Sequence, residues 1–336
     1  MSTPKARRQS KVKQEPSKLL SALNFISLAT HKEGESYKTH CALRQGWAYS
    51  FDGVLSCGHK TDDTLEAQPH TETLLKALSK CGDTFSVTHV DNTLKIKGER
   101  LSVTVPCEPS PLIAVHPDMP TICVGASLAA SFALVAGLPE EGEERTACRS
   151  LLLQSGSVVG CRRGHVIIEA WHGLELGDAK LCVPIRAIKA VLDSKKELQS
   201  IGISSNSVTF HFEDCWIRTQ LDEGRWADYT RMLNLSPRYE TLPEQLWDSL
   251  QTIKDFSSDK RIRLKNGSIS THNDSSVGAS IECDEISGNA TFSIQYLEFA
   301  KGLIEQADFY HERGCFFIGE KDGIKVRGAI AKMVGE

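Results

Sequence analysis

The sequence predicts an α+β protein of three repeated domains, each with two helices covering an antiparallel sheet. Three observations predict it. First, a short helical pattern followed by a run of three strands occurs three times, at residues 68–82 then 85–107, 183–194 then 201–221, and 292–307 then 309–334. A repeat of roughly a hundred residues is far longer than solenoid or propeller periods, so each copy is a small domain. Second, turn signals recur at matching places: Asp91-Asn92, Ser205-Asn206 and Glu312-Arg313-Gly314, then Gly98-Glu99, Glu213-Asp214 and Asp322-Gly323. Third, strand patterns outnumber helical ones in every copy, and helices on one face of an antiparallel sheet are the layer arrangement that buries both.

The chain length of 336 residues exceeds one ordinary core and fits two or three domains. Hydrophobic content of 40% and charged content of 24% are those of a soluble globular protein. No apolar run reaches the length of a membrane span, and the N-terminus lacks the apolar core of a secretory signal, so a cytoplasmic protein without a membrane partner is expected. The eleven cysteines are an odd number without a C-x-x-C pair. Cys107, Cys182 and Cys315 sit in apolar strand patterns. They are read as small buried hydrophobes in a reducing compartment, with neither disulfides nor zinc expected. A net charge of -4 argues against a protein that coats nucleic acid, but it allows a basic surface on one face.

Taken in order, residues 1–17 form a basic, polar arm carrying Lys5, Arg7, Arg8, Lys11 and Lys13, predicted to be disordered. Two readings stand for it, a solvated tail or an auxiliary phosphate contact. The first domain is expected over 18–122, the second over 123–236 and the third over 237–336. Their first helices are expected at 19–28, from Leu19, Leu20, Leu23 and Ile26, and at 127–138, with Ser127 as N-cap and Gly137 as stop. The third is expected at 243–256, with Pro243 in the first turn and Leu246, Leu250 and Ile253 on one face. Strands follow at 47–58 with an Asp52-Gly53 turn, at 157–173 around Arg162, Arg163 and Gly164, and at 262–273 with Asn266-Gly267 at a hairpin tip. Proline-rich linkers fall near 108–126 and 234–243.

Three segments then carry a resemblance over about residue 18 to the end. GRWADYTRMLN at 224–234 is similar to a Gly-x-aromatic/Pro-Asp-Tyr-x-Arg-hydrophobic-Leu-Pro motif closing a second domain. Phe292 and Tyr296 form a Phe-x-x-x-Tyr opening of the last helix. FDGVLS at 51–56 and EAWHGL at 169–174 partly match a Thr-Asp-Gly-x-x-Leu turn. In this order and at these places, the chain resembles the bacterial-type sliding clamp, the beta subunit of the replicative DNA polymerase, in a divergent form such as a phage encodes. The resemblance implies the DNA-clamp fold and a homodimer closed head to tail into a ring of six domains. Helices would line the hole around double-stranded DNA, bound without sequence preference. The partners it implies are a DNA polymerase and a clamp-loader ATPase. It implies no active site, no metal and no cofactor.

A lysine recurs at a matching place in each second helix, Lys76, Lys189 and Lys301, with Arg186, Lys80 and Lys254 as further candidates. A hole lined by equivalent helices would use such residues on phosphates, which position DNA without reading it. The alternative is the ordinary solvated face of a helix. Lys32 falls in a loop that the resemblance places near DNA. The resemblance also implies a partner-peptide groove at Trp171, His172, Gly173 and Leu174, at Tyr229, Arg231, Met232 and Leu233, and at Tyr296, Met333 and Val334. Apolar side chains around a few polar groups suit such a groove, and they equally suit domain-core packing.

The chain departs from the family pattern in places. Asn234 stands where proline is usual, the tail ends Met-Val-Gly-Glu, and Glu140, Glu141, Glu143 and Glu144 crowd a loop that the resemblance places near DNA. Those carboxylates would repel phosphate. Enzymatic readings lack a P-loop, a G-x-S-x-G motif and a metal-spaced His/Cys cluster. The adjacent Asp62-Asp63 reads as a solvated turn. Two rival functions remain, a clamp-like partner-binding protein that does not encircle DNA and a DNA-processing enzyme on a repeated scaffold.

Overall fold

The computed structural model describes residues 18–62, 65–81, 85–113, 115–272 and 277–333. The basic arm, Asp63 and Val334 lie outside the described residues. The chain divides into two compact units, Met1–Pro117 with Glu213–Arg218, and Asp118–Phe212 with Thr219–Glu336.

In the first unit, α1 (Lys18–Ile26) forms where Leu19, Leu23 and Ile26 recur on one face, and all three are buried. The Ser50 hydroxyl donates to the carbonyl of Ile26 at 2.6 Å, which satisfies one of the acceptors a helix end leaves open. After α2 (Ser36–Thr39), β1 (Ala42–Arg44), β2 (Trp47–Phe51) and β3 (Leu55–Lys60) run as an antiparallel meander. The expected Asp52-Gly53 turn joins β2 to β3. Gly53 takes φ +107°, and an Asp52 carboxylate oxygen accepts the Val54 and Leu55 amides at 3.0 and 2.8 Å. The far edge of β3 meets residues 215–218, the start of β14 (Cys215–Gln220). The Trp216 indole lies so close over Gly58 that any Cβ there would collide with it. Next, α3 (Thr71–Cys81) buries Leu74, Ala77 and Leu78. A separate three-stranded sheet follows, β4 (Phe85–Val90), β5 (Thr93–Gly98) and β6 (Ser102–Pro106). Buried Leu94 and Ile96 alternate there with exposed Lys95 and Lys97.

The second unit opens with β7 (Ile122–Cys123), α4 (Ala126–Val135), α5 (Thr146–Arg149), β8 (Ser150–Gln154), β9 (Ser157–Arg162), β10 (Val166–Trp171), β11 (Lys180–Pro184), α6 (Ile185–Asp193), β12 (Ser200–Ile203) and β13 (Ser207–His211). After the last two residues of β14 come α7 (Thr230–Leu233), β15 (Glu240–Thr241), α8 (Leu246–Ile253), β16 (Arg261–Lys265), β17 (Ser268–Ser270), β18 (Ser280–Glu282) and β19 (Ala290–Ser293). It closes with α9 (Ile294–Ala300), β20 (Gln306–Asp308), β21 (Cys315–Lys321) and β22 (Ile324–Ile330). One eight-stranded sheet, in the order β11-β8-β9-β10-β22-β21-β20-β15, joins the second and third copies of the repeat. The join is antiparallel pairing of β10 with β22, from Val166 opposite Ile330 to Ala170 opposite Val326. A four-stranded sheet, β18-β17-β16-β19, belongs to the third copy alone. α4 packs on β9 and β10, and Gly160 permits the approach: a Cβ there would stand 3.0 Å from the Val135 carbonyl oxygen.

Several local expectations change. α4 is capped by Gly125 and already includes Ser127, whose hydroxyl donates to the His172 carbonyl instead. Pro243 precedes α8, whose N-cap is Gln245. The Pro243 carbonyl accepts the Leu246 amide at 3.0 Å in the turn leading in. Lys301 is the C-cap of α9, one residue past the helix, because the chain turns extended there at ψ 127°. All eleven cysteines are free thiols; Cys182 and Cys315 are buried, whereas Cys107 is half-buried and Cys123 exposed.

Candidate DNA-facing and partner-binding surfaces

The basic residues fall into small groups set by helix geometry. On α3, Lys76 and Lys80 are one turn apart and both exposed. Lys76 donates to Glu72 at 2.7 Å, and that bond chiefly holds the Glu72 carboxyl below its usual range, with Lys32 adding to it. Lys32 is itself exposed beyond α1. On α6, Arg186 is half-buried and Lys189 exposed, three residues apart. Lys254, after α8, bonds Glu298 of α9 at 3.1 Å. Lys301 is exposed.

The acidic loop after α4 is bound to cations of its own unit. Glu141 takes Lys189 at 3.1 Å, Glu143 takes Arg163 at 3.2 Å, and Glu140 bridges Arg162 and Arg163. Arg163 sits in the β9–β10 turn with φ +51°, followed by Gly164 at +77°, which turns its side chain to the loop. The sequence carried a signal for this, since four glutamates and an Arg-Arg-Gly turn occur in one copy. The turn and the excess of carboxylates are legible in the sequence; the pairing is not.

The expected groove residues separate into three environments. Trp171 ends β10, half-buried, with the Arg327 guanidinium 5.3 Å from its ring centroid. Together with Ile318, Gly319 and Val326 they line a cavity of about 600 Å³. His172 is buried, its Nδ1 accepts the Leu174 amide at 3.0 Å, and burial pushes its pKa down. Gly173 is exposed with φ +72° and Leu174 is half-buried. Tyr229, Met232 and Leu233 pack with Leu152, Val159, Trp226, Phe316 and Ala329. Arg231 is exposed and pairs with Asp228 at 3.4 Å. Tyr296 stacks on His165 at 5.3 Å, and the Met333 amide donates to the Thr291 carbonyl at 2.8 Å.

A buried polar network, missed in the sequence, links the first two environments. Glu169, 3% exposed, accepts from Ser157 at 2.7 Å and from the Tyr229 hydroxyl at 3.2 Å through one oxygen. Its other oxygen accepts Arg327 Nε at 2.8 Å. Arg327 also donates to the side-chain oxygen of Asn234 at 3.1 Å. Asn234 therefore has a use that a proline could not serve. Burial, and then the Glu169 charge, push the Tyr229 hydroxyl pKa up, so it stays a donor.

Three copies of helices on antiparallel sheets, two of them fused through one sheet, define the clamp fold. The solved structures bear that out. The chain is similar to a Helicobacter pylori beta clamp at 16% identity and TM-score 0.77, over 94% of this chain and 98% of that one. It is similar to a DNA polymerase sliding clamp from Pseudomonas aeruginosa at 16% identity and TM-score 0.79, over 95% and 98%. A Helicobacter pylori beta clamp bound to a DNA ligase peptide matches at 16% identity and TM-score 0.72, over 94% and 98%. No family model and no curated protein matches the sequence.

Proposed function

We propose that the chain is a DNA sliding clamp, a processivity factor that encircles duplex DNA and tethers a replicative polymerase and other partners. The observation that carries this reading is a likeness of fold that takes in nearly the whole of this chain and of the clamps. Three clamp domains at 18–122, 123–236 and 237–336 would pair head to tail in a homodimer. Topological closure would hold the protein on DNA, so each phosphate contact can stay weak and independent of sequence. Lys32, Lys76, Lys80, Arg186, Lys189, Lys254 and Lys301 are the proposed DNA-facing cations. The proposed partner groove is the Trp171–Arg327 cavity with Leu174 and the neighbouring Tyr229–Leu233 segment, and a partner peptide like the one seen on a bacterial clamp is its proposed occupant. The reading assigns no chemical step to the chain and places it at the replication fork of a bacterial cell or an infected host.

One observation favours the rival that docks partners without encircling DNA: Lys76, Lys189 and Lys254 are each already paired with a carboxylate. Loading on nicked circular DNA with a clamp loader separates the two. A clamp stays on the circle and is released when the circle is cut, and K76E/K189E/K301E weakens retention while the dimer persists. Equal association with circular and linear DNA overturns the encircling reading.

A further inference from the structure

We infer a transition-metal site in the first unit, formed by His59, Asp214 and Cys215, for which Zn²⁺ is the fitting ion. One ligand atom from each lies within 4.8 Å of the other two. Around a tetrahedral zinc, with bonds of about 2.0–2.3 Å, neighbouring donor atoms stand about 3.3–3.6 Å apart. His59 Nε2 and Asp214 Oδ2 stand 3.5 Å apart, so that pair already has the spacing.

The imidazole is oriented for ligation. His59 Nδ1 lies 2.7 Å from the Lys60 carbonyl oxygen, an acceptor that calls for a proton on Nδ1 and makes Nε2 the ring nitrogen that faces Asp214. A ring N–H given to a backbone carbonyl is the usual outer support of a metal-bound histidine. The Lys60 amide in turn donates to the Asp214 carbonyl at 2.9 Å, which fixes the ligand-bearing turn against β3. The Phe25 ring packs against the imidazole at 5.4 Å.

The donor set is borderline in hardness: one thiolate, one imidazole and one carboxylate. That suits zinc better than the hard cations, which prefer oxygen alone. His59 and Cys215 are 2% and 3% exposed, whereas the Asp214 side chain is 44% exposed. The ion therefore has a way in from the Asp214 side, from which solvent would supply the fourth ligand. Binding would release the Cys215 thiol proton, so affinity rises with pH. No motif marks the site, because His59 on β3 and the Asp214-Cys215 pair that opens β14 lie far apart in the chain. Binding would pin residues 213–218 to β3, so the ion favours the folded form by mass action.

The test is titration of the metal-stripped full chain with Zn²⁺ and with Co²⁺ as spectroscopic probe. One equivalent is expected to bind, with a thiolate-to-cobalt charge-transfer band that C215S abolishes. D214N should weaken binding by more than about 100-fold, beyond the usual loss from an outer-shell change. Zinc should raise the melting temperature of the parent chain and leave D214N unmoved. Absence of the thiolate band, or a band and a zinc-induced shift that D214N preserves, overturns the site. Because Asp214 is partly exposed, D214N keeps the test decisive even where C215S fails to fold.

Discussion

Arg327 ties together three parts of the second unit. It neutralises buried Glu169, reaches Asn234 and covers Trp171. R327A would leave Glu169 charged and poorly paired, which typically costs about 3 kcal/mol, and chemical denaturation should show it. E169Q should cost less, since its amide can still serve Ser157 and Tyr229. A second prediction concerns pH. Burial lowers the pKa of His40, His172 and His211, and the His70 charge adds to this for His40. A depressed histidine pKa means the unfolded chain binds protons first, so stability is full above the unfolded value near 6.5 and falls as pH drops through the folded values. Melting temperature should decline below about pH 6.5, and H172N should flatten that decline.

Among elements, the hairpins were the most legible, because the tight turns demand special residues. Asp322 and Gly323 both take positive φ between β21 and β22, and Gly267 does so between β16 and β17. Helix starts were less legible. Ser127 carried a local signal that a tertiary contact overrode, since its hydroxyl was drawn to His172, and Pro243 falls two residues before the Gln245 cap. The acidic loop is the element whose charge has the clearest consequence. Glu141 holds Lys189, and Glu140 and Glu143 hold Arg163, so on the proposed reading these carboxylates would compete with phosphate for both cations. The triple variant E140Q/E141Q/E143Q should bind duplex DNA more tightly. Its affinity should fall more steeply with salt, by about 0.9 in the logarithmic slope for each cation freed to meet a phosphate. Salt-titrated anisotropy would measure both.

At the scale of the molecule, the repeat in the sequence announced the fold, because helix, turn and strand patterns recurred with the same period. The candidate groove was legible only in part. Trp171 and Tyr229 were selected through motif position, but Glu169 and Arg327 sit in strands remote in sequence and meet only when β10 pairs with β22. The same limit hid the composition of the first unit, which borrows residues 213–218. A fragment cut at residue 117 would lose the segment that covers Gly58. It would present β3 as a bare edge with its main-chain donors and acceptors unmet, an invitation to strand addition between copies. Expressed alone, that fragment should self-associate in sedimentation experiments, and a synthetic peptide spanning 210–220 should return it to a single chain. The N-terminal copy is thus a domain in its sequence pattern but not a severable part.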